Sequence, residues 1–297
     1  MPPSVQTLSV QNALKLDEIM TKPYSKAPLS FIGQKRNFIK AFRQVLQTHI
    51  DDDGNGWTII DVFGGSGLLA HNAKHLLPNA TVIYNDFDGY TERLNHIDDT
   101  ERLRQQIFTK LAPLPRHKVL SAQDKQAVID IINNFDGFID VHSIANWVLF
   151  SGKQVKTLDE LYQNTFYNTI RKNPYEPATH YLDGLIITTE SYTTLMAKYK
   201  DKPKTLFLLD PPYLYTGQGA YHQDKYFAMV DFLYLMSLTR PPYIFFSSTK
   251  SELLDYLDYL KQLNGDDWER LGCFERVTIQ AHVNHERAYE DNMIYRF

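Results

Sequence analysis

The 297-residue chain predicts an α/β fold: an open, mostly parallel sheet interrupted by a mostly helical insertion. Three observations predict it. Strand-length apolar runs alternate with helix-length amphipathic stretches near both ends of the chain. A glycine loop, Gly64-Gly65-Ser66-Gly67, lies between the first of those runs and a helix. From Tyr90 to Tyr181 strand-like runs nearly vanish.

Residues 1–28 read as an irregular lead-in, because Pro2, Pro3, Pro23 and Pro28 discourage regular structure. A short helix is expected at Leu14–Met20. Ser30–Arg36 reads as a glycine turn running into a helix. Phe38, Phe42, Val45 and Leu46 fall on one face of that helix, and Arg36, Lys40 and Arg43 on another. Gly33 permits close backbone approach, and Lys35 is placed to meet an anion. Asp51–Gly56 begins like a calcium loop, but the twelfth position is Val62, where a bidentate Glu is needed.

Thr58–Phe63 is the first expected strand. It leads into the glycine loop and a helix through Leu68, Leu69 and Ala73. This order suits a nucleotide-like ligand held on backbone N–H groups. It is not a phosphate-binding P-loop, since no Gly-Lys-Ser/Thr closes it. Ala80–Tyr84 is the second strand, followed by Asn85-Asp86-Phe87-Asp88. An acid there, about 20 residues past the loop, suits ribose hydroxyls, and Asp86 is the candidate. His71 and His75 share a helical face but lack a third ligand, so no metal site is expected.

The insertion carries expected helices at Thr91–Leu111, Ser121–Phe135 and Leu158–Ile170. Its Trp147, Phe150, Lys153, Lys156, Arg171 and Lys172 form a mix suited to gripping a polynucleotide. Gly184–Ile187 is the next strand, and Glu190 beyond it is a candidate acceptor for a cofactor amine. Leu206–Leu209 is the central strand, ending at Asp210-Pro211-Pro212-Tyr213. Leu214–Tyr226 then reads as a loop that closes over substrate, with Tyr221 and Lys225 on it. A helix at Phe227–Leu238, a strand at Tyr243–Phe246, a helix at Ser251–Leu263 and an antiparallel pair, Arg276–Val283 with Met293–Phe297, complete the sheet edge.

Asp210-Pro211-Pro212-Tyr213 carries the chemistry. The prolines cannot continue a central strand, so Asp210 lies at its carboxyl end, where open α/β sheets bind ligands. An exocyclic base amine is a poor nucleophile because its lone pair is delocalised into the ring. The Asp210 carboxylate and the Pro211 carbonyl are acceptors that help localise it. Tyr213 offers a flat face, worth about 1–3 kcal/mol per stacked base.

Composition sets the bounds. Net charge is −4, so nucleic-acid contact has to come from local basic patches rather than bulk charge. The single cysteine, Cys273, excludes an internal disulfide and fits a reducing compartment. No apolar run reaches the ~20 residues that span a bilayer. The amino terminus lacks the basic start and apolar block of a signal peptide, and an intracellular protein is expected.

In order and content these motifs resemble the DNA adenine-N6 methyltransferases of the Dam-like, alpha-ordered class. Phe31, Gly33 and Lys35 resemble the amino-terminal cofactor motif. Asp61–Gly67, with Phe63, Gly64, Gly65, Ser66 and Gly67, resembles the glycine loop, although Val62 stands where the family more often has Pro. Asn85-Asp86 resembles the ribose motif, and Glu190 is similar in place to an acid contacting the cofactor's adenine. Asp210–Tyr213 is the catalytic signature. Ala220-Tyr221-His222 resembles the loop after it, and Ser247-Ser248 replaces the usual Ser-Asn.

The resemblance implies a Rossmann-like S-adenosylmethionine-dependent methyltransferase sheet, formed by residues 1–89 and 183–297, with a DNA-recognition domain inserted at 90–182. It implies S-adenosylmethionine as cofactor and an adenine flipped out of double-stranded DNA as acceptor. By it Asp210 and Pro211 hold the amine, Pro212 stiffens the turn and Tyr213 stacks on the ring. Phe63 lies by the methionine part of the cofactor, and no metal is needed. Arg36, Lys153, Arg171, Tyr221 and Lys225 become candidates for DNA contact. A bacterial or phage-encoded cytoplasmic enzyme is implied, a monomer or weak dimer, in some systems paired with a restriction endonuclease. Transfer to RNA or to a protein amide, and a silent nucleic-acid-binding homologue, remain open alternatives.

Overall fold

The computed structural model describes residues 23–150, 153–214, 227–248, 251–284 and 287–297. The expected Leu14–Met20 helix and the positions of Tyr221 and Lys225 lie outside the described residues.

Seven strands form one sheet in the order β3-β2-β1-β4-β5-β7-β6. They are β1 (Thr58–Asp61), β2 (Thr81–Asn85), β3 (Leu185–Thr188), β4 (Thr205–Leu209), β5 (Tyr243–Ser248), β6 (Glu275–Asn284) and β7 (Arg287–Arg296). The first five are parallel, with Ile60 opposite Ile83 on one side and Phe207 on the other. Strand β7 runs antiparallel between β5 and β6, as the sequence suggests for the last two strands, though both are longer than expected.

Unbroken apolar runs make the central strands because both faces of the sheet are covered. In β4, Leu206 and Leu208 enter one core cluster and Phe207 and Leu209 the other. The chain leaves β1 and β4 toward opposite flanks of the sheet, which opens a crevice at their carboxyl ends.

One face is covered by α1 (Ile39–His49) and α2 (Leu68–Leu76). The apolar stripe of α1 is buried as its periodicity predicts, and Arg36 and Lys40 are exposed. Arg43 is half-buried and donates from Nε to Asn72 Oδ1 at 2.8 Å. The other face is covered by α8 (Tyr192–Tyr199), α9 (Met229–Leu238) and α10 (Leu253–Leu263), with a short α11 (Asp266–Leu271) that the sequence reading did not expect.

The insertion is helical, but its elements differ from those expected. Thr91–Leu111 is two helices, α3 (Tyr90–Asn95) and α4 (Ile97–Leu111), broken at His96. The His96 ring stacks on Phe138 at 4.5 Å, and its backbone sits at φ −110°, ψ 25°. Helix α5 (Ala122–Asn133) starts where Ser121 Oγ accepts the Asp124 N–H at 3.1 Å, a side-chain N-cap. An unexpected α6 (Val141–Val148) follows Asp140, whose carboxylate pairs with Arg93 Nε at 3.0 Å. Only Leu158–Tyr162, α7, is helical in the expected Leu158–Ile170 stretch. Beyond it the backbone pairs with another segment, Leu120 N–H donating to Phe166 O at 2.8 Å and Asn168 N–H to Lys118 O at 3.0 Å. Those long-range bonds replace the helical ladder.

A single buried cluster runs from Ile59, Leu206 and Phe246 in the sheet to Leu103, Trp147 and Phe166 in the insertion. Among the described residues no helix is long and apolar enough to cross a membrane.

Asp86 has a clear structural role. Its Oδ1 accepts the Tyr90 N–H at 2.7 Å and its Oδ2 accepts the Thr91 N–H at 2.8 Å, capping α3. Tyr84 Oη donates to the same carboxylate at 3.1 Å. Asp86→Ala is predicted to destabilise the protein by about 1–2 kcal/mol, the cost of a lost cap. Urea unfolding of both proteins checks this, and equal stabilities would contradict the capping role.

Candidate active site

The carboxyl ends of β1, β2 and β4 converge on a cavity of about 400 Å³. Its floor is the glycine loop, held in a narrow slot. A Cβ on Gly64 would lie 2.4 Å from the Tyr84 ring, and one on Gly65 would lie 2.9 Å from the Phe31 ring. Gly65 and Gly67 also take φ of +49° and +71°, which L side chains rarely adopt. Tyr84 Oη donates to Gly65 O at 2.8 Å, and Tyr181 Oη, from the insertion, donates to Ser66 O at 2.9 Å. Asn85 ties three strand ends together. Its Nδ2 donates to Val62 O and to Glu190 O, both at 2.9 Å, and its Oδ1 accepts the Glu190 N–H at 2.9 Å.

One wall is charged. Lys35 Nζ lies 2.6 Å from Asp210 Oδ2 and donates to Gly33 O at 2.7 Å. Both side chains are largely withdrawn from water, at 13% and 20% exposure. Burial pushes the Asp210 carboxyl up, Lys35 pulls it down, and Asp291 on β7 pushes it up again. Asp61 is buried and sits at about 7, raised first by burial and then by the Asp210 charge. The Ala70 N–H donates to its Oδ2 at 3.3 Å.

The opposite wall is aromatic. Phe63 stacks against Tyr192 at 5.7 Å, and both contact Phe227 edge-on, at 6.1 and 5.9 Å. Phe87 leans over the rim, 45% exposed.

The cavity brings together Phe31, Gly33, Lys35, Asp61, Phe63, Gly64, Gly65, Ser66, Glu190, Asp210 and Pro212 of the expected residues. Gly67 instead starts α2, where an added Cβ would meet Leu182 and the Tyr84 ring, each at 3.3 Å. Asp86 faces α3, and the acid that lines the cavity from that motif is Asp88. The Asp86 carboxylate is taken by two N–H groups and a phenol, which turns it from the pocket. Pro211 and Tyr213 lie beside Asp210 outside the lining, and the Tyr213 ring is 5.8 Å from Lys35 Nζ. Glu190 reaches the pocket while ion-paired with Lys198 and accepting from Thr188 Oγ1 at 3.1 Å.

Of the candidates for DNA contact, Arg36 is exposed next to Lys35, and Lys153 is exposed on the insertion. Arg171 stacks on Tyr175 at 3.9 Å and donates to Asn173 O and Pro174 O at 2.7 and 3.0 Å, so its guanidinium also holds local structure. The sequence reading missed Phe87, Asp88, Tyr192, Phe227 and Asp231 in the lining. Asp88 and Tyr192 each stand two residues past a chosen acid, a spacing that would have flagged them.

His71 is a core residue. Its Nε2 accepts the Tyr24 N–H at 3.0 Å, its Nδ1 lies 2.7 Å from Tyr181 O, and burial pushes it down to about 4. Among the described residues no group of three His, Cys, Asp or Glu is placed to hold a metal.

Comparisons with known proteins show the family. The family model described as "D12 class N6 adenine-specific DNA methyltransferase" matches residues 31–231. A Haemophilus influenzae protein named "Putative methyltransferase" is 50% identical over 292 residues, covering 98% of this chain and 99% of that one. Two solved structures share a distant likeness. One, described as a "putative rRNA-methylase" from Clostridium thermocellum, has a TM-score of 0.34 at 11% identity, over 87% of this chain and 97% of that one. The other, a precorrin-6y C5,15-methyltransferase from Geobacter metallireducens, has a TM-score of 0.34 at 8% identity, over 91% and 94%. At that similarity neither bears on function.

Methyltransferases of the matched family use S-adenosylmethionine, and the cavity fits it. A volume of about 400 Å³ is within the ~300–1,000 Å³ of small-molecule sites. Its carboxylates suit the cofactor's cationic centres, and its aromatic wall suits the apolar surface of such a ligand. By its motifs, its cavity and these matches, the chain belongs to the D12 class N6 adenine-specific DNA methyltransferase family.

Proposed function

We propose that this protein is a site-specific DNA methyltransferase acting on the N6 amine of an adenine extruded from duplex DNA. The observation that carries the reading is Asp210: its carboxylate ends a central strand, opens into the cavity and is held by Lys35. S-adenosylmethionine, when bound, would supply a methyl group activated by its sulfonium, which would leave as a neutral thioether.

The chain's own residues align and polarise. Asp210 and the Pro211 carbonyl accept the two N–H groups of the target amine, which localises its lone pair toward the methyl. Pro212 keeps that turn stiff, and Tyr213 gives the base a face to stack on. Lys35 favours the ionised form of Asp210 and opposes the burial that pushes its carboxyl up. Asp61 faces the cofactor's ammonium group. Phe63 and Tyr192 pack along the cofactor, Glu190 accepts from its adenine amine, and Asp88 rather than Asp86 meets its ribose. Catalysis is then alignment and electrostatics, with no covalent enzyme intermediate.

In this reading residues 1–89 and 183–297 carry catalysis, and 90–182 recognise DNA. Two contacts support a link between them: Tyr181 Oη on Ser66 O, and Arg93 donating to Ser30 O at 2.9 Å beside the cofactor motif. Arg36, Lys153 and Arg171 are the proposed basic contacts. The proposal is tested by incubating the enzyme with methyl-labelled cofactor and duplex DNA, RNA or peptide. N6-methyladenine at one fixed sequence in duplex DNA is expected, and label confined to RNA or peptide would refute it.

Asp210→Ala is predicted to lower kcat by about 10²–10³ or more, the scale of a lost preorganised electrostatic partner, with cofactor affinity changed only a few fold. Undiminished turnover would remove Asp210 from the mechanism. A pH dependence follows from Asp61. Below about 7 it is protonated and loses its attraction for a cationic ligand; above about 7 it is charged. Cofactor affinity is therefore predicted to rise as pH increases through neutrality, and Asp61→Asn to flatten that rise. Calorimetric titration at several pH values checks it, and parallel profiles for both proteins would contradict it.

A further inference from the structure

Helix α9 is largely apolar on both its inward and its outward face. Eight of its ten residues, Met229–Leu238, are hydrophobic. One face packs inward, with Phe232, Leu235, Met236 and Leu238 buried. The other points outward: Met229 is 46%, Val230 76%, Leu233 45% and Tyr234 50% exposed. Val230, Leu233, Tyr234 and the exposed Ser237 follow helical spacing, so they form one stripe rather than scattered positions. A helix apolar on all sides is ordinarily a buried helix. Among the described residues nothing covers this stripe.

We infer that the stripe is covered by a second copy of this chain in a two-fold dimer. Size shows which elements must join in. A stable interface takes about 800 Å² from each partner. A helix of ten residues is about 15 Å long and ~10 Å wide, so α9 alone falls far short. Its neighbours must take part, and they are α8 on one side and α10 on the other. Tyr192 Oη of α8 donates to Asp231 O of α9 at 3.0 Å, and Phe232 of α9 meets Tyr256 of α10 edge-on at 5.4 Å.

Those flanks differ in charge. Helix α8 holds no acid; it carries Lys198, ion-paired with Glu190, and ends at Lys200, followed by Asp201 and Lys202, so this flank is net basic. Helix α10 exposes Asp255 and Asp258 against a single Lys261. A two-fold axis along α9 lays α8 of one copy over α10 of the other, lysines over aspartates. An axis across α9 would set like charge on like. The surface is thus complementary to itself in one orientation, which satisfies an isologous interface. It is poorly suited to nucleic acid, since the stripe has no base and one flank is acidic. The stripe begins beside the cofactor cavity, as Phe227 and Asp231 line that cavity. Dimerisation therefore buttresses one wall of the pocket and leaves the insertion outside the interface.

Sedimentation velocity of the full chain at micromolar concentration tests this. A species of twice the 34.5 kDa chain mass is expected. Val230→Glu with Tyr234→Glu should weaken association by more than about a hundredfold, because charge is buried in the contact centre. Asp255→Lys with Asp258→Lys should weaken it too. An unchanged far-UV circular dichroism spectrum shows that these surface variants are folded. A single-chain mass for the unaltered protein overturns the inference, as does a dimer that persists in the Val230 and Tyr234 variant.

Discussion

The site depends on the contact between one ammonium and one carboxylate in a corner largely closed to water. Lys35 Nζ and Asp210 Oδ2 are 2.6 Å apart, and two further carboxylates, Asp61 and Asp291, act electrostatically on the same corner. Burial favours the protonated acids, and the lone cation among them favours the ionised ones. Removing one partner of such a buried pair costs about 3–5 kcal/mol, so neither group is an ornament of the fold. An ionised Asp210 can only accept hydrogen bonds, which is what a donor amine requires.

The backbone makes that corner without unusual strain. Parallel pairing brings the ends of β1 and β4 together, and Asn85 fastens the chain after β1 to the turn after β3. The glycine loop fits only because Gly64 and Gly65 carry no side chain between Tyr84 and Phe31. Phe31, Gly33 and Lys35 come from well before β1, yet they close the pocket against the loop and against Asp210. One short segment thus supplies both a lid for the glycine loop and the cation paired with Asp210.

Much of this was legible in the sequence because its causes are local. Buried parallel strands need unbroken apolar runs, and β1, β2 and β4 have them. A strand cut off by Asp-Pro-Pro announces its own end. The glycine loop announces a tight turn. What was illegible has non-local causes. The break at His96 comes from stacking on Phe138, and the lost helix after Tyr162 comes from pairing with Lys118–Leu120. Asp86 and Asp88 are alike as letters. Only the positions of the Tyr90 and Thr91 N–H groups show which one caps α3 and which one lines the cavity.

The protonation of Asp210 is set by the balance between Lys35 and burial, and the pH–rate profile of methyl transfer by Lys35→Met measures that balance. Without the ammonium, burial and the Asp291 charge are left to hold the proton on Asp210. The acidic limb of kcat is expected at higher pH in the variant than in the unaltered enzyme. An acidic limb at the same pH in both, with turnover intact, would contradict it.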